Sequence, residues 1–185
     1  MSREVRAFMI SVATLIVVLL LVLGSYSQWH VRPSEEISPD VLDTLRALGN
    51  RALESNDVPV GAVVLYGDHI VGRGYNTVHR DLFAGGHAEI EALSDAIRRL
   101  GLESFQALNR DSVLLITTFE PCLMCRGAIL EYKIKDVVFL KGKPALSWLR
   151  EDLRTFRYSW TRKQGGSPSL QDSLFRKHPL YPQEP

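Results

Sequence analysis

Glu120-Pro121-Cys122-Leu123-Met124-Cys125-Arg126-Gly127-Ala128-Ile129, read beside His87-Ala88-Glu89-Ile90-Glu91-Ala92-Leu93, decides the fold. Each stretch opens a helix. The cysteines follow a buried strand at 112–118 and begin a helix over 122–132. The histidine follows a Gly85-Gly86 turn and begins an apolar-periodic run (Ile90, Leu93, Ile97, Leu100) that stops at Gly101. Cys122 and Cys125 stand three residues apart, so they share a helix face and both sulfurs reach one ion. The helix N-terminus favours their thiolate form. They are the only cysteines, which excludes a disulfide framework. By itself a C-x-x-C is either a redox dithiol or half of a metal site. With His87 as a third ligand it suits a catalytic zinc, whose fourth position is left for water. The redox reading leaves His87 and Glu89 without a role. Glu89, two residues past the histidine, can face that water without being a ligand, which makes it the candidate catalytic proton shuttle.

Working outward, Ser38-Pro39-Asp40 marks a helix start, with Val41, Leu42, Leu45, Leu48 and Leu53 as the apolar stripe of a helix reaching about residue 55. Strands are predicted at 60–66 and 69–75 around a Gly67-Asp68 turn, and at 136–140. A further helix is predicted at 145–156. The order helix, hairpin, helix, strand, helix, strand implies an α/β sandwich with a mixed sheet. Gly, Ser and Pro after Gln164 suggest a loose tail over 165–185.

The 45% hydrophobic and 23% charged content exclude wholesale disorder. A net charge of +1 without a polybasic run excludes a tail built for nucleic acid or membrane surfaces. Residues 7–23 carry no charge and read as a membrane anchor over 7–26 or a signal segment, with Arg3 and Arg6 before it and a linker at 27–37. That charge bias places the N-terminus inside and the following domain outside, tethered or, alternatively, secreted after cleavage. His30, His69, His79 and His178 read as surface residues.

H-x-E followed by P-C-x-x-C is the signature of zinc nucleobase deaminases. Over roughly residues 40–140 this sequence resembles the zinc-dependent cytidine/deoxycytidylate deaminase superfamily. It is most similar to the branch of tRNA adenosine deaminases and bacterial guanine deaminases. Asp57-Val58-Pro59-Val60-Gly61-Ala62-Val63-Val64 and Gly74-Tyr75-Asn76 extend the likeness beyond the ligands. The resemblance implies a three-layer α/β/α sandwich, one Zn2+ on His87, Cys122 and Cys125, and catalysis by Glu89. Asn76, Ala88 and Pro121 are then expected to shape the substrate pocket, although an asparagine after a strand is also a common turn residue. The expected deaminase domain covers 38–164. Its expected reaction replaces the exocyclic amine of a nucleobase, nucleoside or related amino-heterocycle with oxygen, a small purine such as guanine being favoured. The alternatives are adenosine in tRNA, a cytosine-type substrate, and a non-catalytic zinc-bound domain tethered to a membrane.

The sequence departs from that branch at Phe83-Ala84-Gly85-Gly86, where an Asp-Pro-Thr-Ala type run is usual, and it lacks the tRNA enzymes' acidic, cysteine-containing C-terminal helix. Its own C-terminal set, Trp148, Arg150, Arg154, Phe156, Arg157, Tyr158, Trp160 and Arg162, reads either as an amphipathic helix on the sheet or as a nucleic-acid surface. The resemblance also points to a homodimer.

Overall fold

Strand β1 (Gly61–Tyr66) alternates its side chains between two cores. Val63 and Leu65, with Ile116, face Val41, Leu45 and Leu48. Ala62 and Val64 face Ala88, Ala92, Leu93, Ala96 and Phe105. A strand apolar on both faces must lie inside a sheet covered on both sides. That is the arrangement found in the computed structural model, which describes residues 3–29, 36–163 and 168–177. Helix α1 spans Arg3–Trp29 and helix α2 spans Pro39–Glu54. After β1 come strand β2 (His69–Tyr75), the short helix α3 (Val78–Asp81) and helix α4 (Ala88–Leu100). Helix α5 (Leu102–Ala107), strand β3 (Val113–Phe119), helix α6 (Leu123–Glu131) and strand β4 (Asp136–Lys141) complete this part. The chain forms two compact units, Met1–Ala145 and Leu146–Pro185.

The four strands are ordered β2-β1-β3-β4. β1 runs antiparallel to β2 and β3, whereas β3 and β4 are parallel, with α6 as the crossover between them. The expected mixed α/β sheet is therefore present. α2 covers one face; α4 and α6 cover the other. The hairpin turn uses Gly67 in the left-handed region at φ 57°, a conformation free of steric cost only for glycine.

Two glycines let α4 lie against the hairpin without a layer of side chains between them. A Cβ on Gly72 would stand 2.7 Å from the Ala96 Cβ and 2.9 Å from its nitrogen. A Cβ on Gly74 would stand 2.8 Å from the carbonyl carbon of Glu91 and press on the Ala88 carbonyl and the Ala92 nitrogen. The obstacle in both cases includes helix backbone, which cannot move aside independently.

The expected anchor at 7–26 is overturned. Among the described residues no helix is long and apolar enough to cross a membrane. Glu4 and Arg6 stand in the first turns of α1. The membrane tether and the domain's placement outside a membrane fall with it. Most of the linker read at 27–37 lies outside the described residues, as do His30 and His178. The second unit holds helix α7 (Ala145–Thr161, which begins one residue earlier) and helix α8 (Pro168–Phe175), the latter in the stretch read as a loose tail.

Gly74→Ala is expected to destabilise the protein by about 1–3 kcal/mol or more, since the added methyl overpacks a backbone contact. Urea unfolding followed by circular dichroism measures this, with Gly67→Ala as the comparison where φ rather than space is at issue.

Candidate metal centre

Three functional side chains meet because two helices begin at the same end of the sheet. His87 stands at the N-cap of α4, in extended backbone (φ −88°, ψ 146°). Its carbonyl already accepts from the Glu91 N–H at 2.9 Å, so the turn before the helix is closed. Cys122 occupies the N-cap of α6 (φ −73°, ψ 172°), and Cys125 lies buried in the first turn. The His87 Nδ1 is 3.5 Å from the Cys122 Sγ and 3.6 Å from the Cys125 Sγ, and the sulfurs are 3.5 Å apart. Tetrahedral zinc with ordinary bond lengths separates two sulfurs by about 3.8 Å and a sulfur and nitrogen by about 3.6 Å. The triangle therefore fits zinc in size and donor type, with Nδ1 as the ligating nitrogen. Among the described residues this is the cluster of three or more metal-ligating side chains.

The two thiols are hydrogen-bonded to each other. Hydrogen bonding from Cys125 holds the Cys122 thiol down at about 5, aided by the α6 backbone N–H groups and opposed by burial. Cys125 is pushed up, first by that same pairing and then by burial. Glu89 is 4% exposed, and its Oε2 lies 3.3 Å from the Cys125 Sγ. Thr117, fully buried on β3, places its hydroxyl 3.3 Å from Oε1. Burial pushes the Glu89 carboxyl up, against the pull of its own backbone N–H and of Cys125.

A pocket of about 340 Å³ opens beside these groups, within the range of small-molecule sites. His87, Glu89 and Cys122 line it together with Asn76, the apolar Val58, Val60, Val78 and Phe119, and the polar Asp57, His79, Glu120 and Lys143. Asn76 is held by its carbonyl oxygen, which accepts the Ala88 N–H at 2.9 Å. Its amide nitrogen donates to no group among the described residues, so both of its hydrogens remain for a ligand. Of the other two expected pocket residues, neither is in the lining. Ala88 is fully buried with its N–H spent on Asn76. Pro121 is buried with its carbonyl accepting the Lys143 Nζ at 2.9 Å.

Several pocket residues were not visible in the sequence. His79, read there as a surface histidine, is brought to the lining by α3. That turn is pinned by Asp57, whose carboxylate accepts the backbone N–H of His79 at 2.7 Å and of Arg80 at 3.3 Å. Burial raises the Asp57 carboxyl, but those two N–H groups and the Ser55 hydroxyl together hold it below the usual carboxylate range. Lys143 follows β4, and its own N–H donates to the Glu120 carboxylate at 2.6 Å. The one sequence signal available was the pair Thr117-Thr118, two hydroxyls in a strand whose other residues are apolar.

Residues 38–141 match the model of the cytidine and deoxycytidylate deaminase zinc-binding region. The chain belongs to that family. It is 38% identical over 88 residues to the tRNA-specific adenosine deaminase of Buchnera aphidicola, covering 48% of this chain and 55% of that one. With the tRNA-specific adenosine deaminase 2 of Xenopus laevis it shares 36% identity over 89 residues, 48% of this chain and 51% of that one. With the tRNA(Ile)-lysidine synthase of Deinococcus radiodurans it shares 40% over 124 residues, 65% of this chain but 20% of the much longer relative. The chain thus spans about half the length of the adenosine deaminases it matches. Among solved structures, the guanine deaminase from Bacillus subtilis superposes with a TM-score of 0.58 at 21% identity, covering 80% of this chain and 99% of that one. A chain from a study of wobble-position transfer RNA deaminases gives 0.50 at 24%, covering 78% and 92%. These two likenesses bear on the fold. Family and donor triangle agree on zinc as the cofactor.

Cys125→Ala is expected to lose zinc, lowering affinity by more than the roughly 10–100-fold typical of outer-shell changes. Glu89→Gln is expected to retain one zinc per chain. Elemental analysis after dialysis against a weak chelator distinguishes them.

Proposed function

We propose that this chain hydrolytically removes the exocyclic amine from an aminopurine-type ring. The observation that carries this reading is a buried carboxylate, Glu89, that lines the pocket and lies 3.3 Å from a metal-ligand sulfur. In a purely structural zinc domain such a group is a cost without a return, because burial disfavours its charged form. When bound, zinc supplies a water acidified to a pKa of about 7, available as a nucleophile at neutral pH. Glu89 takes a proton from the attacking water as its oxygen bonds to the ring carbon. The carboxyl passes that proton to the ring nitrogen, then takes a second from the hydroxyl now on the ring carbon and gives it to the departing amine, so that water and the amino compound leave as a ring carbonyl and ammonia. A carboxyl raised by burial suits that exchange, because its two forms come closer in energy near the working pH. The Thr117 hydroxyl orients it.

Asn76 supports recognition. Its oxygen is fixed on Ala88, so its amide presents donors to a ring acceptor. Val58, Val60, Val78 and Phe119 provide apolar walls for a flat heterocycle. A free base or nucleoside is favoured by the volume of the pocket and by a net charge of only +1, without the basic stripe that phosphate backbones require.

A second reading, adenosine within tRNA, is supported by the relatives that are 36–38% identical and named as tRNA-specific adenosine deaminases. An exported location, which would have kept the domain from RNA, no longer stands against it.

Ammonia release by the zinc-loaded chain, measured over guanine, adenine, their nucleosides and an anticodon stem-loop, separates these readings. Glu89→Gln is expected to lose about 10²–10⁴-fold in kcat, the usual share of a general acid–base group. Asn76→Ala is expected to lose about 10–100-fold in kcat/KM, as a recognition bond of about 1–3 kcal/mol implies. Release that survives Glu89→Gln unchanged would sink the assignment of Glu89. Turnover of the stem-loop alone would replace the first reading with the second.

A further inference from the structure

Lys143 is the one lysine or arginine among the described residues that line the pocket, and the proton transfers by Glu89 do not use it. Every lining residue, Lys143 included, belongs to the first unit. The two residues before the metal ligand Cys122 grip it at both ends. Its backbone N–H donates to the Glu120 carboxylate at 2.6 Å, and its Nζ donates to the Pro121 carbonyl at 2.9 Å. The Glu120 N–H ties the same stretch once more, donating to the Lys141 carbonyl at 2.9 Å. Holding a lysine costs rotamer entropy, so a half-buried one fixed in this way has a defined place. Pro121 is covalently joined to Cys122, and that place is therefore on the wall beside the metal centre.

An ammonium donates hydrogen bonds and never accepts them. The ring it suits presents an acceptor to that wall. Guanine offers O6 and N7 as acceptors, and lysine is among their common partners, whereas adenine carries an amino donor where guanine has O6. Glu120, buried on the same wall, is an acceptor beside this donor. A donor next to an acceptor matches a lactam, in which a ring carbonyl neighbours a ring N–H. The edge of adenine has the reverse order and would set donor against donor. In a 2-amino-6-oxopurine the carbonyl lies meta to the amine-bearing carbon, so the amine can face the metal while the oxygen faces Lys143. A phosphate suits this wall less well. The Asp57 and Glu120 carboxylates line the same pocket, and a phosphate stands a sugar away from the reacting ring.

Resting on the aminopurine reading of this site, we infer that Lys143 is a specificity-determining residue that donates to a ring carbonyl oxygen of the substrate, so that the chain selects 2-amino-6-oxopurines over purines without that oxygen. Glu120 is its positioning residue, through the backbone N–H that it accepts.

Equilibrium binding to the full-length, zinc-loaded Glu89→Gln chain tests this without turnover. The probe is 2-aminopurine, which is fluorescent and lacks the 6-oxygen; guanine and guanosine compete with it and with its riboside. Guanine is expected to bind about 10–100-fold more tightly than 2-aminopurine, the share of a hydrogen bond to a charged group. Adding Lys143→Met should remove most of that preference by weakening guanine alone, and Lys143→Arg should keep part of it. Neither change touches the backbone N–H held by Glu120, and one zinc per chain reports an intact fold. Should Lys143→Met lose its zinc, Lys143→Gln serves instead, with the preference lowered in the same direction. Guanine that binds no tighter than 2-aminopurine, or not at all, overturns the role of Lys143. A preference that survives removal of the ammonium does so too. Guanosine 5′-monophosphate binding about tenfold or more tighter than guanosine, with the gain lost in Lys143→Met, gives the ammonium to a phosphate and likewise overturns it. A preference that depends on Lys143, in a chain whose wild type releases ammonia from no purine, upholds the role of Lys143 while the deaminase reading falls.

Discussion

The site depends on two helix N-termini meeting at one corner of a sheet. The first turn of a helix leaves its N–H groups without intrahelical partners and holds partial positive charge. Here α4 and α6 bring those turns together, so that His87, Cys122 and Cys125 converge within 3.6 Å of one another. The Cys125 hydrogen bond first, and then the backbone N–H groups of that turn, hold the Cys122 thiol low against the opposing effect of burial. Closeness of that order needs both helices fixed to the same sheet. Gly72 and Gly74 fix α4 by letting its backbone rest on β2, and the parallel β3–β4 pairing fixes α6 between the strands that it connects.

Around this corner the pocket is assembled from strand ends. Asn76 follows β2, Val58 and Val60 precede β1, Phe119 closes β3 and Lys143 lies just beyond β4. Because β1 runs antiparallel to its neighbours, its beginning lies where their ends lie. Buried polar groups in this region are joined in short chains that secure the wall of the pocket: Ser55 to Asp57 to the α3 turn, Asn76 to Ala88, and Lys143 to Glu120 and Pro121.

Much of this was legible in the residues. The unbroken apolar run in 60–66, the Gly67-Asp68 turn and the 3.6-residue periodicity from Ile90 to Leu100 report burial, a local property that the sequence writes directly. The metal ligands were legible because C-x-x-C at a helix start constrains its own geometry. What stayed hidden depended on distant pairings. Asp57 shows its role only when the N–H groups of His79 and Arg80 are folded onto it, 22 and 23 residues away. Ala88 and Pro121 sit beside the functional residues in sequence, yet their polar atoms are committed to neighbours and they line no part of the pocket. The N-terminal stretch misled for another reason: a run without charge reads as an anchor by hydropathy alone, whereas among the described residues no helix is long and apolar enough to cross a membrane.

The separation of the ligands along the chain carries a thermodynamic meaning apart from chemistry. His87 and Cys122 are 35 residues apart, with α4, α5 and β3 between them. An ion gripping both ends closes that span as a covalent cross-link would, and the chain-entropy estimate for a loop of this length is roughly 3–4 kcal/mol removed from the unfolded ensemble. That is a sizeable fraction of the whole stability of a domain this size. The metal therefore also staples the hairpin-and-helix half of the sheet to the β3–α6–β4 half, and cells that supply too little of it would lose folded protein as well as activity.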